Sequence, residues 1–342
     1  MCIMKDAHYI GNSAPRSSYA ETIGLHRGAM LAPMSGVSDL GMRRAASRFG
    51  ATLVFSEMVA TQTFLEGDGE SRLRAEGDGV ASHAVQLVGR EPGAMSEAAR
   101  RIEGAGARVV DINMGCPARR VAGGLAGCAL MRDLDHASRI VESVVAAVRA
   151  PVTVKMRLGW DDSERNAAQL ARRAEQAGAA MITVHGRTRR QFYDGRADWR
   201  AVGEVVAEVG VPVVVNGDCR SLEDAREMLA ASGAHAVMIG RAAIGAPWIV
   251  GAIARALQSG AALQAPPLGE RREAALSHVD SLLAAMGRRA GLRHARKHLA
   301  AYAEKAGAAP ALRSALVTSE DPDAAMGLLA RAFETAEGRE AA

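Results

Sequence analysis

From residue 29 onward the chain alternates short apolar runs with longer stretches in which apolar residues recur every three or four positions. The runs are Ala29–Met34, Leu53–Met58, His83–Val88, Val109–Met114, Val152–Leu158, Met181–His185, Val211–Val215 and Ala236–Ile239. Near-continuous hydrophobicity of this length is the pattern of parallel strands buried on both faces. The stretches between them read as amphipathic helices. In Asn166–Gly178, for example, Ala167, Leu170, Ala171 and Ala174 share one face. Gly178 closes that stretch and Gly233 closes the one before Ala236, as expected at helix C-termini. Strand–helix units repeated over about 230 residues predict an α/β fold, a (β/α)8 TIM barrel.

An open doubly wound sheet is the alternative, and the polar residues decide between the two. Ser35, Glu57, Gln86, Asn113, Lys155 with Arg157, His185, Asn216 and Arg241 fall at or just beyond the C-terminal ends of nearly all the runs. An open sheet gathers its ligand groups at one switch point, whereas a barrel brings every strand end to one mouth. After Ala254 the pattern changes, and only helical stretches follow: Glu270–Met286, Leu292–Ala306 and Asp323–Thr335. The expected organisation is a loosely ordered leader over 1–28, a catalytic barrel over 29–260, a linker over 261–268 and a small C-terminal helical domain over 269–337.

Composition narrows the setting. Hydrophobic residues make up 49% of the chain and aromatics only 4%, so the core must be mostly aliphatic. No run approaches the roughly eighteen apolar residues of a membrane span, and the leader lacks the apolar block of a secretory signal. The cysteines, Cys2, Cys116, Cys128 and Cys219, form no C-x-x-C pair. A reducing, cytoplasmic setting without disulfides and without a metal centre is therefore expected. The net charge of +4 is a mild excess, compatible with a polyanionic partner.

Candidate chemistry gathers at the strand ends. Cys116 follows the fourth run in a loop that closes on Pro117, which biases the cysteine towards an extended backbone. By itself a lone cysteine among small residues reads as a buried small hydrophobe; its company at the mouth favours a reactive thiol. The loops after runs seven and eight, Asn216-Gly217-Asp218 and Gly240-Arg241, stand where barrels hold phosphate. Their glycines admit an anion to backbone N–H groups, and Arg241 offers a charged fork. There is no G-x-G-x-x-G after a strand and no Walker loop. That leaves a cofactor with a single phosphate and a flat ring, in reach of Gln86, Lys155 and His185. Lys155 suits negative charge developing on such a ring, or else is a buried lysine paired with Glu57 or Asp111.

Seven motifs resemble the tRNA-dihydrouridine synthases, and among them the bacterial B type. They are Leu31-Ala-Pro-Met-Ser-Gly-Val-Ser-Asp39, Gln86-Leu-Val-Gly89, Asp111-Ile-Asn-Met-Gly-Cys-Pro117, Val154-Lys-Met-Arg157, His185-Gly-Arg-Thr-Arg189, Asn216-Gly-Asp218 and Gly240-Arg241. The resemblance resumes at Arg296-Lys-His-Leu299. It implies an FMN-bearing barrel with a C-terminal helical domain, reducing the C5–C6 double bond of uridine in the D-loop of tRNA with NADPH as hydride donor. By the same resemblance Pro33, Met34, Ser35, Gln86 and Lys155 match flavin-ring contacts. Asn216, Gly217, Asp218, Gly240 and Arg241 match the ribityl-phosphate site, and Cys116 matches the catalytic acid. Asn113, Arg157 and His185 match residues lining the uracil side, with His185 also beside the cofactor. The sequence departs from the family pattern at Arg190, at Ala246 before Pro247-Trp248, and at Ala300-Ala301 before Tyr302.

Residues 286–298 contain no acid. On a helix Arg289, Arg293, Arg296 and Lys297 fall along one side, and beside such a barrel they read as a tRNA contact. Arg187, with Arg119, Arg120, Arg189 and Arg190, would extend the positive field to the mouth and touch the substrate. A monomer is expected. Two other readings stay open: a flavin barrel acting on a free small molecule such as a pyrimidine, and a tRNA-binding protein without turnover.

Overall fold

The structure, a computed structural model, describes residues 28–340 apart from Ser82, with side chains described as far as Glu334. The leader expected over 1–28 therefore lies outside the described residues, Gly28 excepted. Eight parallel strands close into a barrel in chain order. They are β1 Ala29–Leu31, β2 Val54–Ala60, β3 His83–Val88, β4 Val109–Met114, β5 Val152–Arg157, β6 Met181–His185, β7 Val213–Asn216 and β8 Ala236–Ile239. Closure is made by β1 on β8, with Met30 opposite Met238. This is the TIM barrel that the apolar runs predict.

The strands depart from the runs where the backbone cannot join the ladder. β1 stops at Leu31, two residues short of Pro33, and the Met34 carbonyl then accepts from Val37 and Ser38 in a turn. β7 starts only after Pro212, whose carbonyl still accepts from Ile182 N at 3.0 Å. β2 runs on to Ala60 because its register against β3 shifts between Phe55 and Met58. Ser56 fills the irregularity, its Oγ donating to the Glu57 carbonyl at 2.6 Å and accepting from Gln86 N at 3.0 Å. Such bulges re-aim side chains next to active sites. Here Glu57 accepts from the backbone N–H of Gly36, which ties β2 to the loop after β1.

Two apolar layers hold the barrel. Inside it, Met30, Leu53, Phe55, Val109, Met181, Val214 and Met238 pack together. Outside, strand residues such as Val85, Ile112, Val154 and Ile182 meet the helices through Met95, Ile140, Leu170 and Val202. Burying each such side chain contributes roughly 1.5–3 kcal/mol.

The C-terminal part has four helices among the described residues: Leu268–Met286, Arg288–Lys305, Pro310–Thr318 and Pro322–Glu340. The Pro310–Thr318 helix is short, starts on proline and buries only Leu316, which is why no periodic pattern announces it. These helices share a separate core of Leu282, Leu292, Leu299, Tyr302 and Phe333, joined from the barrel side by Phe49 and Trp248. Trp248 stacks on Tyr302 with ring centroids 6.2 Å apart. At Gly245 a Cβ would lie 2.5 Å from the Ala301 backbone, so the Arg288–Lys305 helix lies directly on the loop after β8. Among the described residues no helix is long and apolar enough to cross a membrane.

Candidate active site

A pocket of about 530 Å3 opens at the C-terminal mouth of the barrel. Pro33, Met34, Ser35, Gln86, Asn113, Cys116, Lys155, Arg157, His185, Asn216, Gly217, Asp218, Gly240 and Arg241 all line it. Residues far apart in sequence meet because nearly every strand end delivers a polar residue to the same ring; at β2 the lining residue is Met58, and Glu57 lies outside it.

The cysteine loop is built from β4. Asn113 Oδ1 accepts from the N–H groups of Gly115 at 3.1 Å and Cys116 at 2.9 Å, turning the chain as it leaves the strand. The Cys116 carbonyl accepts from Cys128 N at 3.2 Å. Gly127, at φ +59°, lets that segment pass close behind, where a Cβ would lie 3.2 Å from Cys116 Cβ. Cys116 is half-buried, whereas Cys128 and Cys219 are buried. Burial raises the Cys116 thiol above its ordinary range, and pushes Cys128 and Cys219 up to about 12. At neutral pH Cys116 is therefore a protonated thiol with access to the pocket.

Asn113 is aimed by a chain of side-chain amides with one sense. Thr153 Oγ1 and Gln86 Nε2 donate to Asp111 at 2.5 and 2.6 Å. Gln86 Oε1 is left to accept from Asn113 Nδ2 at 2.7 Å, and Asn113 Oδ1 is left to cap the cysteine loop. Burial raises Asp111 to about 7, with the two hydrogen bonds and the Lys155 charge opposing the shift.

Opposite the thiol, Lys155 Nζ donates to Asn216 Oδ1 at 3.1 Å, and Asn216 Nδ2 donates to the Met238 carbonyl at 2.8 Å. The hydrogen-bond partner of Lys155 is thus Asn216, not Glu57 or Asp111. Burial and the Arg157 charge lower Lys155 to about 8. Burial and the cations Lys155, Arg157, Arg187 and Arg241 also hold His185 well below its ordinary value, hence neutral. Its Nδ1 is buried without a hydrogen-bond partner. Arg157 is itself buried and braces two loops, donating to the carbonyls of Gly115 at 3.0 Å, Thr188 at 2.9 Å and Phe192 at 2.8 Å.

The far end of the pocket has backbone N–H groups turned by positive φ at Gly217 (+121°) and Asp218 (+60°). A carboxylate beside an anion site would repel it, but this one is neutralised. Asp218 accepts from Arg187 at 2.6 and 3.1 Å, from Arg241 at 3.0 Å and from Ala197 N at 2.9 Å. This corrects the expectation that Arg187 touches substrate. It is only 1% exposed, does not line the pocket, and spends its guanidinium on Asp218 and two loop carbonyls. Arg241, at 58% exposure, remains open to the pocket.

The Met34 N–H donates to Ser38 Oγ at 2.9 Å. Two aromatic residues of the mouth were missed in the sequence. Phe192 and Tyr193 both line the pocket, and the Arg157 and Arg241 guanidiniums lie 5.6 and 5.2 Å from the centroid of the Tyr193 ring. An aromatic pair inside the arginine-rich loop after β6 was the available signal.

Arg289, Arg293 and Lys297 are exposed on the Arg288–Lys305 helix, with Arg296 half-buried. Lys297 reaches the mouth: a Cβ on Gly36 would lie 2.9 Å from its Nζ. Arg119, Arg120 and Arg190 are exposed on the loops after β4 and β6, and Arg189 is half-buried with its guanidinium 4.7 Å from the Trp160 ring centroid.

Residues 30–337 match the family model described as dihydrouridine synthase (Dus). A protein of Rhodobacter capsulatus named probable tRNA-dihydrouridine synthase is 50% identical over 310 residues, covering 90% of this chain and 95% of its own. One of the same name from Rickettsia conorii is 46% identical over 267 residues, covering 78% and 81%. The tRNA-dihydrouridine synthase B of Xanthomonas axonopodis is 42% identical over 306 residues, covering 89% and 92%.

Proposed function

The chain belongs to the dihydrouridine synthase family, and from that premise we propose that it reduces the C5–C6 double bond of uridine in the D-loop of tRNA, with FMN as cofactor, NADPH as reductant and Cys116 as general acid. The observation that carries this reading is a half-buried, protonated thiol sharing one pocket with Lys155, His185 and an anion-ready end at Gly217, Asp218 and Arg241. A pocket of about 530 Å3 fits a cofactor-sized ligand, and the orphaned His185 Nδ1 is the kind of buried group that a ligand satisfies.

Pro33, Met34, Ser35, Gln86 and Lys155 would hold the ring of FMN, with His185 beside it. Asn216, Gly217, Asp218, Gly240 and Arg241 would hold its phosphate. When bound and reduced by NADPH, FMN would supply a hydride to uracil C6. Cys116 then delivers its proton to C5, and its raised pKa keeps that proton available at neutral pH. Asn113 holds the cysteine loop in its turned form and, with Arg157 and His185, faces the uracil. Lys155 stabilises negative charge as it develops. Arg187 positions Asp218 and so acts at one remove.

The target base must leave its stack at a cost of roughly a few kcal/mol, which phosphate contacts have to offset. Arg293, Arg296 and Lys297 are suited to that, and Lys297 beside the mouth favours tRNA over a free pyrimidine as substrate. The proposed setting is the cytoplasm, with the chain acting as a monomer. The test is mass spectrometry of tRNA from a strain lacking the protein. Loss of dihydrouridine at one or more D-loop positions, restored by the wild-type gene and not by Cys116→Ala, is expected; unchanged dihydrouridine at every position refutes the reading.

A further inference from the structure

A second cluster of chemical groups lies outside the pocket, where the helices meet the barrel. Asp39 begins the helix Leu40–Arg48, with Oδ1 accepting from Met42 N at 3.1 Å. His294 and His298 stand four residues apart on the helix Arg288–Lys305, so both rings leave it on one side. A carboxylate oxygen of Asp39 and one ring nitrogen from each histidine all lie within 4.8 Å of one another. His298 Nε2 and Asp39 Oδ2 are 3.3 Å apart. Four donors placed tetrahedrally around a zinc ion at about 2.0–2.1 Å are separated by about 3.3 Å.

His298 is 0% exposed and its Nδ1 has no hydrogen bond, while its Nε2 has only the 3.3 Å approach to Asp39 Oδ2; His294 Nε2 is also buried and unpartnered. Interiors rarely leave such groups unsatisfied. A supporting layer is already in place. His278 Nε2 lies 3.0 and 3.1 Å from the two Asp39 oxygens, and His278 Nδ1 lies 2.9 Å from the Tyr302 hydroxyl. With the hydroxyl donating to Nδ1, Nε2–H donates to the carboxylate and fixes its orientation, as outer partners do around metal ligands. A cavity of about 30 Å3, bordered by Asp39, Glu57, Ser281 and His294, adjoins the cluster and has room for one water.

We propose that Asp39, His294 and His298 bind a transition-metal dication of the Zn2+ class, which fastens the helical part to the barrel. Two imidazoles and one carboxylate suit Zn2+ better than Mg2+ or Ca2+, which take oxygen ligands. In the sequence the pair is His294-x-x-x-His298, set within a basic run.

The test uses the full chain, stripped with chelator and titrated with Zn2+ or Co2+. Wild type should take up one equivalent and show visible cobalt d–d absorption without the intense near-ultraviolet band of a thiolate ligand. Zn2+ should raise its melting temperature. His294→Ala, at a half-buried position, should bind at least tenfold more weakly and lose the melting shift; His294→Gln replaces it if the alanine variant does not fold. Wild type that takes up no equivalent, a spectrum dominated by thiolate, or an uptake unchanged by the His294 substitution overturns the proposal.

Discussion

Replacing Arg187 with alanine asks whether its guanidinium acts on the substrate or on the loop beside it. The Arg187 side chain is 1% exposed and that of Asp218 12%. Two donors reach the carboxylate, at 2.6 and 3.1 Å, and two hydrogen bonds reach the carbonyls of Asp194 and Gly195, at 3.0 and 2.7 Å. Truncation removes all four of these hydrogen bonds at once. Removing one partner of a buried pair costs about 3–5 kcal/mol. Asp218 would keep Arg241 and the Ala197 N–H, so the cost should sit near the lower end, about 3 kcal/mol. At about 2 °C per kcal/mol for a large domain, the melting temperature should fall by roughly 6 °C. The assay is urea unfolding of wild type, Arg187→Ala, Asp218→Ala and the double variant at one pH. Because each single variant strands the other's group, the double variant should lose less than the sum, with a coupling of about 0.5–3 kcal/mol. Additive losses, or an Arg187→Ala protein within about 1 kcal/mol of wild type, would show that the pair does not form, and direct substrate contact would again be the better account of Arg187.

The remaining expectations concern the chemistry. Cys116→Ala should leave flavin reduction by NADPH near wild type and slow reoxidation by tRNA by about 10²- to 10⁴-fold in stopped-flow absorbance; Cys128→Ala and Cys219→Ala are the controls, and full rate in all three would exclude a thiol acid. Neutralising Arg293, Arg296 and Lys297 together should weaken tRNA binding and flatten its salt dependence in filter binding, and an unchanged slope would make that helix face merely solvated. Lys155, lowered to about 8 by burial and Arg157, carries its charge below that pH and loses it above. FMN affinity should therefore fall as pH rises through about 8 and stay flat in Lys155→Met, measured by fluorescence quenching; parallel profiles would deny Lys155 that role.

The sequence by itself determined the barrel and the ring of groups around its mouth. Parallel strands covered on both faces need continuous apolar runs, and that requirement is local, so each of the eight strands stood out as a short Val-, Ile- and Met-rich segment. Polar residues close most of these runs, which is why Gln86, Asn113, Lys155, His185 and Asn216 were legible as residues of the mouth, whereas Glu57 turned to the Gly36 N–H outside the pocket. Partner choice was not local. Arg187 looked like another cation for substrate until closure of the barrel laid the loop after β6 over Asp218. The sense of the chain from Asp111 through Gln86 to Asn113 needed the register of β3 on β4, which pairs Gln86 with Asp111. His294 and His298 shared a helix face from the outset, but their meeting with Asp39 required that helix to dock on the loop and helix that follow β1. Hydrophobic periodicity records which face of an element is buried; hydrogen bonds and ion pairs act over about 3 Å, so their partners are decided only when distant loops are packed side by side.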